Sequence, residues 1–460
     1  MKDRTAQNPG RVLITPENGA AAYYATLTRA DNPTQTGDPL NKATLLKDDT
    51  AAKFGKSPDA VPDDILREIW ATYRKQIGDT LTTARTDLGE KWLLCNGANA
   101  YTDQYPQLRA LMPNTALQEM SGTLFGNVYD VKYANGVWVA ACGNYIAASS
   151  SLEGPWSFTS VSGAYAIAND GTKWVVIGYN ASDDQVFAYV STDPMSGSWT
   201  KKLISSSDYV FEALAHYNGT WVTVGYERQH YYGSIYTTQD PSGTWTGKSG
   251  SFRGMRDVIC ANGIWVAAGY SSNSSVHNPG VSVSTDGGET WTAYQITTDV
   301  SINGARILYA QGKWILLCDI YNIDSATDAS GYIFTADDPT GTWTRIDALA
   351  NIVGTTLKRM NGFAFVGDTY YVAVFNTSMS TLGVHIFSAK SLSGPWSEEV
   401  LCPELYATVG RITEVNGHFA MGCALMVSTN NYRMNIATNA LFPLPAESHD
   451  KLYTYIKAKE

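Results

Sequence analysis

One short pattern recurs along the chain and most constrains what the chain can fold into. Its complete copy is STDGGETW at residues 284–291. The Ser and Asp side chains of this copy can bond the backbone amides of a tight turn, its glycines allow positive φ, and its Trp can begin the next strand by packing into a core. The pattern therefore predicts a hairpin turn held by four structural positions, Ser284, Asp286, Gly288 and Trp291.

Two series of tryptophans show that this turn is one part of a longer repeat. Looser copies of the turn also end in Trp, and the steps between successive copies are 43, 46, 46, 52 and 53 residues. A second series follows Asn-Gly and similar turns. Together the two series hold 11 of the 13 Trp residues, so the period does not arise from composition. The first series is Trp156, Trp199, Trp245, Trp291, Trp343 and Trp396; the second is Trp138, Trp174, Trp221, Trp265 and Trp314, with weaker versions at Tyr370 and Phe419.

Each period has room for four short strands, here called A to D. In the first period the pattern predicts strand A at 128–133, an Asn-Gly turn, strand B at 137–142, a variable loop, and strand C at 145–149. Strand D begins at the Trp after the second turn. Four antiparallel strands per period are typical of a β-propeller blade. The sequence thus predicts an all-β fold with a seven-bladed propeller over 121–445, an atypical last blade, and a surface tail at 446–460.

Composition excludes several classes of function. The formal net charge of −10 argues against a nucleic-acid partner, because phosphate binding needs a basic face. No apolar run predicts a membrane span, and the first residues show no apolar signal segment, so we expect synthesis in a cytoplasm. The six cysteines show no CxxC spacing. Cys142, Cys318 and Cys423 occupy a position where other repeats have Gly, which predicts small buried residues. We expect no metal and no cofactor.

The first 120 residues do not share the period. Residues 1–60 are predicted to form an extended segment, apart from strands at 11–14 and 22–27. Residues 61–120 predict a small mixed α/β region whose helix begins at Pro62 and places Ile65, Ile69, Trp70 and Tyr73 on one side. That apolar side packs either in an oligomer or on its own domain, and the sequence does not decide between them.

Residues 92–97, with the sequence WLLCNG, and 105–108, with YPQL, resemble the tail-collar module near the attachment end of bacteriophage tail fibres. Segments 8–11 and 40–46 are similar to the amino-terminal region of tail proteins from phages and prophages of Gram-positive bacteria. The resemblance implies that residues 1–120 attach to other tail or baseplate subunits, that the chain is a homotrimer, and that it lies at the tip of a virion or phage-like particle. It carries no catalytic residues.

The STDGGETW turn itself resembles the Asp-box, or BNR repeat, of sialidases and many other propellers. In those proteins the box is structural and lies on the face opposite the ligand. The resemblance therefore implies a fold and no particular activity.

Candidate binding residues follow from where the repeats vary. The loops between strands B and C, at 179–185, 226–232, 270–279, 319–330 and 376–382, are long and variable, and variable loops on a rigid scaffold carry recognition. Tyrosine faces beside charged groups suit sugar rings. Ordinary solvated loop residues are the alternative. The loop candidates are Tyr226, Arg228, His230, Tyr231, Tyr232, Tyr270, His277, Tyr321, Asp324 and Asp328.

Charged residues at the start of strand A are expected around the central axis. They are Asp130, Tyr165, Glu212, Arg256, Asp257, Arg306 and Arg411, with Arg359 nearby. Arginines, a Tyr beside a Glu, and an Asp are the residue types a sialidase uses, but opposite charges around a wet axis also satisfy each other. The sequence favours a receptor-binding tail protein whose propeller binds a bacterial cell-surface glycan or protein, without catalysis. A sialidase-like enzyme and a purely structural tail component stay open.

Overall fold

The structure is a computed structural model, and its described residues divide into two compact units, Met1–Gln76 and Ile77–Glu460. The described residues are 11–14, 23–26, 52–53, 57, 64, 67, 80–83, 88, 91–95, 99–111, 116–119, 127–180, 182–249, 252–273, 276–320, 331–349, 359–375, 384–401, 407–428, 431–438, 441–444, 448–449 and 452–457.

In the first unit, strands β1 (Arg11–Ile14) and β2 (Tyr23–Thr26) pair antiparallel, as the sequence predicts. Of the predicted helix after Pro62, only Asp64 and Arg67 are described, and both are helical. The apolar side of that helix lies outside the described residues, so its packing stays a prediction.

The second unit is built almost entirely of antiparallel strands. Before the repeats come β3 (Thr80–Thr83), β4 (Trp92–Leu94), β5 (Asn99–Tyr101), helix α1 (Pro106–Leu111) and β6 (Ala116–Glu119). The first two repeats form one seven-stranded sheet of β7 (Asp130–Ala134), β8 (Val137–Ala141), β9 (Gly143–Ser149), β10 (Ser157–Asn169), β11 (Trp174–Asn180), β12 (Gln185–Ser191) and β13 (Thr200–Ser205), with a short 3-10 helix at Pro194–Ser196.

Four sheets of four strands follow, each pairing in chain order. They are β14 (Tyr209–Tyr217), β15 (Thr220–Glu227), β16 (Gly233–Thr238) and β17 (Thr246–Lys248); β18 (Arg253–Ala261), β19 (Ile264–Asn273), β20 (Val276–Ser284) and β21 (Thr292–Gln295); β22 (Ile302–Ala310), β23 (Lys313–Ile320), β24 (Gly331–Ala336) and β25 (Thr344–Ile346); and β26 (Arg359–Val366), β27 (Thr369–Phe375), β28 (Val384–Ala389) and β29 (Ser397–Leu401). The last strands are β30 (Ala407–Val415), β31 (His418–Ser428), β32 (Asn431–Thr438), β33 (Leu441–Pro443), β34 (Ser448–His449) and β35 (Leu452–Lys457).

The first strands of the repeats lie side by side around a central axis. Strands β7, β10, β14, β18, β22, β26 and β30 each contact the next, and β30 contacts β7. The all-β propeller expected from the sequence is therefore the observed fold. The count of seven blades stays a prediction, because β9 and β11 both pair with the long strand β10 and so join the first two repeats in one sheet.

Local turn chemistry explains why the repeats form hairpins. Asn262 and Gly263 have φ values of 52° and 78°, the left-handed pair that a two-residue hairpin turn needs. The following Trp265 is buried against Trp291 and Val222. Cys142, Cys318 and Cys423 are all buried, as predicted.

The STDGGETW turn has the predicted geometry. The Ser284 hydroxyl lies 2.8 Å from the Asp286 carboxylate and accepts the Gly288 amide at 3.0 Å. Asp286 accepts the amides of Glu289 and Thr290. The indole of Trp291 donates to the Gly288 carbonyl at 3.0 Å, and its ring packs into the core. Hydrogen bonds from Thr290, from its hydroxyl and its amide, lower the pKa of Asp286 to about 2.

Both ends of the predicted propeller need correction. The atypical last repeat is completed by β6, which pairs with β32 in the register Leu117↔Ala437, so the boundary predicted at 120 cuts through a sheet. The predicted surface tail at 446–460 instead contains β35, which pairs with β3 and β4. Its Ile456 is buried with Cys95, Leu108 and Leu444. The sequence missed this strand because six residues are too short to show a period beside polar neighbours.

Candidate functional site

The two ends of the strands differ in what they carry. In each repeat the A–B turn and the Ser-to-Trp turn lie at one end, here called the turn end. The B–C hairpins and the starts of the A strands lie at the other, here called the loop end. The described candidate residues from the variable loops and from the axis therefore lie at the loop end.

A cluster of tyrosine, glutamate and arginine lies at the axial opening of the loop end. Arg256 of β18 forms an ion pair with Glu212 of β14 and donates to the Tyr226 hydroxyl at 3.0 Å. The Tyr226 hydroxyl lies 3.3 Å from the Glu212 carboxylate, and the Arg256 guanidinium lies 4.4 Å from the centre of the Tyr226 ring. Burial, together with the charge of Glu212, raises the pKa of Tyr226 to about 12. The phenol is therefore protonated at neutral pH.

Two consecutive tyrosines at the tip of the β15–β16 hairpin are exposed. Tyr231 is 44% exposed and stacks on Tyr226, with ring centres 5.4 Å apart. Tyr232 is 53% exposed and lies under the guanidinium of Arg253, 4.5 Å from the ring centre. Both thus present aromatic surface to solvent at the loop end.

The backbone fixes Tyr231 in a conformation that is rare for residues other than glycine. Its φ is 58°, and its amide and carbonyl are both bonded, to the Glu227 carbonyl at 2.8 Å and the Gly254 amide at 2.9 Å. Gly254 has φ 51°, and a Cβ there would lie 2.0 Å from the Tyr270 ring. Such a conformation costs about 1 kcal/mol or more and persists only where the surroundings impose it. Tyr231 is therefore held in place before any ligand arrives.

A second polar cluster lies beside the first on the same end. Arg228 donates to the Tyr179 hydroxyl at 2.8 Å and lies 3.5 Å from the Asp208 carboxylate. The same hydroxyl is 2.9 Å from Asp184 and 3.1 Å from Asp208. Burial and then the bond to Asp184 raise the pKa of Tyr179 to about 12. Next to it, His230 contacts Glu227 at 3.0 Å.

Below the opening, two arginines close the axis. Arg411 of β30 forms an ion pair with Asp257 of β18 at 2.5 Å and donates at 2.9 Å to the carbonyls of Glu212 and Arg256. Arg306 also donates to the Arg256 carbonyl, at 2.9 Å. Burial and the neighbouring Arg411 lower the pKa of Arg306 to about 10. Burial also disfavours the charge of Arg411, but the carboxylates of Asp257, Asp130 and Glu212 together raise its pKa.

A cavity of about 420 Å³ continues along the axis from the arginines towards the turn end. All seven inner strands contribute to its wall, with Asp130, Asp257, Arg306 and Arg411 among the charged residues. Asp130 accepts the Ile167 amide at 3.0 Å and lies 3.6 Å from the Lys132 ammonium. Charged residues of both signs therefore lie at the axis, and two pairs of them, Arg256 with Glu212 and Arg411 with Asp257, form ion pairs.

Two of the loop candidates are placed differently from the prediction, and three lie outside the described residues. Tyr270 is buried, and residues 270–279 are largely the paired strands β19 and β20 rather than a loop, so Tyr270 cannot stack on a ligand from solvent. Its ring instead stacks on His277, with ring centres 4.4 Å apart. Tyr321 and Asp324, together with Asp328, lie outside the described residues, as do 376–382.

Residues that the candidate set lacked complete the loop end. Tyr179, Asp208, Glu227 and Arg253 contact the candidates directly, and Asp184 contacts Tyr179. The signal that identifies Tyr179 is its position five residues after Trp174, which matches Tyr226 after Trp221. The other four residues lie at positions that do not recur from repeat to repeat.

Among the described residues, no group of three metal-ligating side chains comes together. No helix in the described part of the chain is long and apolar enough to cross a membrane.

The chain resembles several solved structures at low identity. The phage phi92 endosialidase is 9% identical over 73% of this chain and 70% of its own, with a TM-score of 0.45. The β-propeller domain of the Trilobed protease from Pyrococcus furiosus is 11% identical over 70% of this chain and 98% of its own, with a TM-score of 0.44. Kuenenia stuttgartiensis hydrazine synthase is 13% identical over 68% and 97%, with a TM-score of 0.49. No protein-family model and no curated protein matches the sequence.

Proposed function

We propose that this chain is a receptor-binding protein of a phage or phage-like particle, and that its loop end binds a bacterial cell-surface glycan or protein, with a glycan favoured. The observation that carries the proposal is the exposed pair Tyr231 and Tyr232, of which Tyr231 is fixed by an unusual backbone. A contiguous exposed aromatic patch marks an interaction site more often than a single exposed side chain does, and strained backbone concentrates at ligand sites.

The surroundings of the two tyrosines favour a sugar ring as the ligand. The CH face of a sugar packs on an aromatic ring, and its hydroxyls bond charged side chains in pairs. Tyr231 offers such a face, while Glu227, Arg228 and Asp208 lie within the same surface. Because Tyr231 is already ordered, binding loses little conformational entropy.

Residues 1–120 are proposed to attach the chain to other tail or baseplate subunits as a homotrimer, in a virion or extracellular particle. The motif residues of the tail-collar resemblance support this role, since Cys95 and Leu108 form one small core with α1 and β35. Several copies on one particle then make weak single sites effective, because tethering raises the effective concentration of each further site.

Adsorption of the full-length protein to intact bacterial cells tests the proposal. We expect saturable binding that disappears when periodate oxidises the surface glycans. Tyr231→Ala is expected to lower the apparent affinity about tenfold, the equivalent of 1.4 kcal/mol. Tyr217→Ala is the matched control, because Tyr217 is 43% exposed but lies at the turn end. If the full-length protein enters tail particles but binds no cell, the receptor-binding proposal is wrong and the chain is a structural tail component.

One observation favours a second candidate, a sialidase-like glycan-cleaving enzyme. The Tyr226 hydroxyl lies 3.3 Å from the Glu212 carboxylate, with Arg256 beside both, and this pair of residue types is the one a Tyr nucleophile requires. Release of reducing sugar from purified host polysaccharide separates the two functions. If the wild type releases reducing sugar and Tyr226→Phe abolishes this release, the protein is an enzyme rather than an adhesin. If cells are bound and neither protein releases sugar, the enzyme hypothesis is excluded.

A further inference from the structure

We infer that the loop end selects uncharged saccharides and rejects acidic ones, an inference that rests on the proposed glycan-binding function. It follows from how the charged side chains at this end are already paired, and from the excess of carboxylates among them.

The arginines that a carboxylated sugar would need are engaged by the protein itself. Arg256 bonds Glu212 and Tyr226, and it is largely buried. Arg411 uses both terminal nitrogens on Asp257 and on two backbone carbonyls. A sugar carboxylate that displaced the partners of either arginine would leave a buried carboxylate or carbonyl without its hydrogen-bond donor. That loss costs more free energy than a surface ion pair contributes.

The remaining charges at the loop end are predominantly negative. Arg228 and Arg253 are the arginines nearest the exposed tyrosines, and Arg228 is bonded to Tyr179 and Asp208. Apart from Glu212, which is paired with Arg256, the carboxylates of this surface are Asp183, Asp184, Asp208 and Glu227. Like charges that are close together near a protein surface repel each other. The field at the Tyr231 platform therefore opposes an anionic sugar.

The same carboxylates are useful to an uncharged ligand. Ionised carboxylates only accept hydrogen bonds, and each can receive two adjacent sugar hydroxyls. Tyr231 supplies the stacking face, so one surface offers both of the interactions that an uncharged saccharide makes. Affinity of this kind changes little with ionic strength, because the ligand carries no charge to be screened.

An array of bacterial saccharides, probed with the full-length protein, tests the selectivity. We expect the bound set to be uncharged, and the binding to change less than about twofold between 50 and 500 mM NaCl. The inference is overturned if the bound saccharides carry carboxylates or phosphates, or if no saccharide is bound. It is also overturned if binding falls tenfold as the salt concentration rises. Glycan-dependent adsorption to cells that persists alongside acidic binding on the array would overturn the selectivity and leave the proposed function standing.

A variant that removes one carboxylate provides the second test. Asp208→Asn keeps the shape of the side chain and leaves Arg228 without its ion-pair partner. We expect binding of acidic saccharides to rise about threefold at low salt, the scale of an exposed ion pair, while binding of uncharged ones does not rise. The matched control is Asp240→Asn, whose partner is Lys173 at the turn end. An Asp208→Asn protein that still rejects acidic saccharides as strongly as the wild type contradicts the role given to the carboxylates.

Discussion

The turn end and the loop end belong to the same strands but are stabilised differently. At the turn end the bonds that recur from repeat to repeat are local: the Trp291 indole reaches a carbonyl three residues away, and Trp245 and Trp343 reach carbonyls four residues away. At the loop end the bonds join distant repeats, as between Arg228 and Tyr179, 49 residues apart, or Arg411 and Asp257, 154 residues apart. Local chemistry can repeat along the chain, whereas contacts between repeats are individual. That individuality is what makes the loop end suited to recognition.

The largest effect is expected where the turn end meets the core. Trp265→Ala should lower the free energy of unfolding by roughly 3 to 5 kcal/mol, because a large side chain that is 1% exposed leaves a cavity among Val222, Val224 and Trp291. Urea unfolding followed by fluorescence measures this loss. Tyr133→Ala, at an exposed position of the same end, is the control and should cost no more than about 1.5 kcal/mol, the scale of its ring contact with Trp138. Equal stability of the two variants would contradict the packing of the repeats.

A smaller loss is expected at the axis, where the loop end depends on contacts across the ring. Arg411→Met should lower the free energy of unfolding by about 3 kcal/mol, since Asp257 loses its buried cation and two carbonyls lose their donor. Adding Asp257→Asn to this variant should restore part of the loss, because the uncompensated charge is then removed. Urea midpoints of the two variants give the comparison, and a double variant less stable than Arg411→Met would argue against the ion pair.

The smallest effect concerns the STDGGETW turn and depends on pH. The folded-state pKa of Asp286, about 2, lies below the ordinary value of 3.8, so its hydrogen bonds stabilise the fold above pH 4 and are lost as the pH falls towards 2. Asp286→Asn should therefore cost about 1 kcal/mol at pH 6, a figure kept small because the group is exposed. The difference between variant and wild type should shrink between pH 4 and pH 2.5. A stability difference that stays constant over this pH range would show that ionisation of the Asp286 carboxylate is not its cause.

The candidate site was predictable to the extent that its residues follow the period. Arg256 and Arg411 are predicted from their fixed distances to the repeating aromatic residues, and Tyr226 from its variable loop. The structure places Tyr226 and Arg256 at the axial opening and Arg411 below it. Tyr270 occupies the same position in its repeat as Tyr226 and is nevertheless buried, because the β19–β20 hairpin is longer and covers it with His277. Position in a period gives the place of a residue along its strand, whereas exposure depends on neighbouring loops.

The sequence by itself determined the repeating strands, the Asn-Gly hairpins, the STDGGETW turn and the small buried cysteines, since each depends on residues close together in the chain. Only the tertiary structure decided how the ring closes and which residues become neighbours at its axis. Strand β6 completes the last sheet and β35 joins β3 and β4, far along the chain from their partners. His418 likewise meets Asp103 across 315 residues. No local period can encode such pairs, because they form once, and only when the whole array has curved back on its beginning.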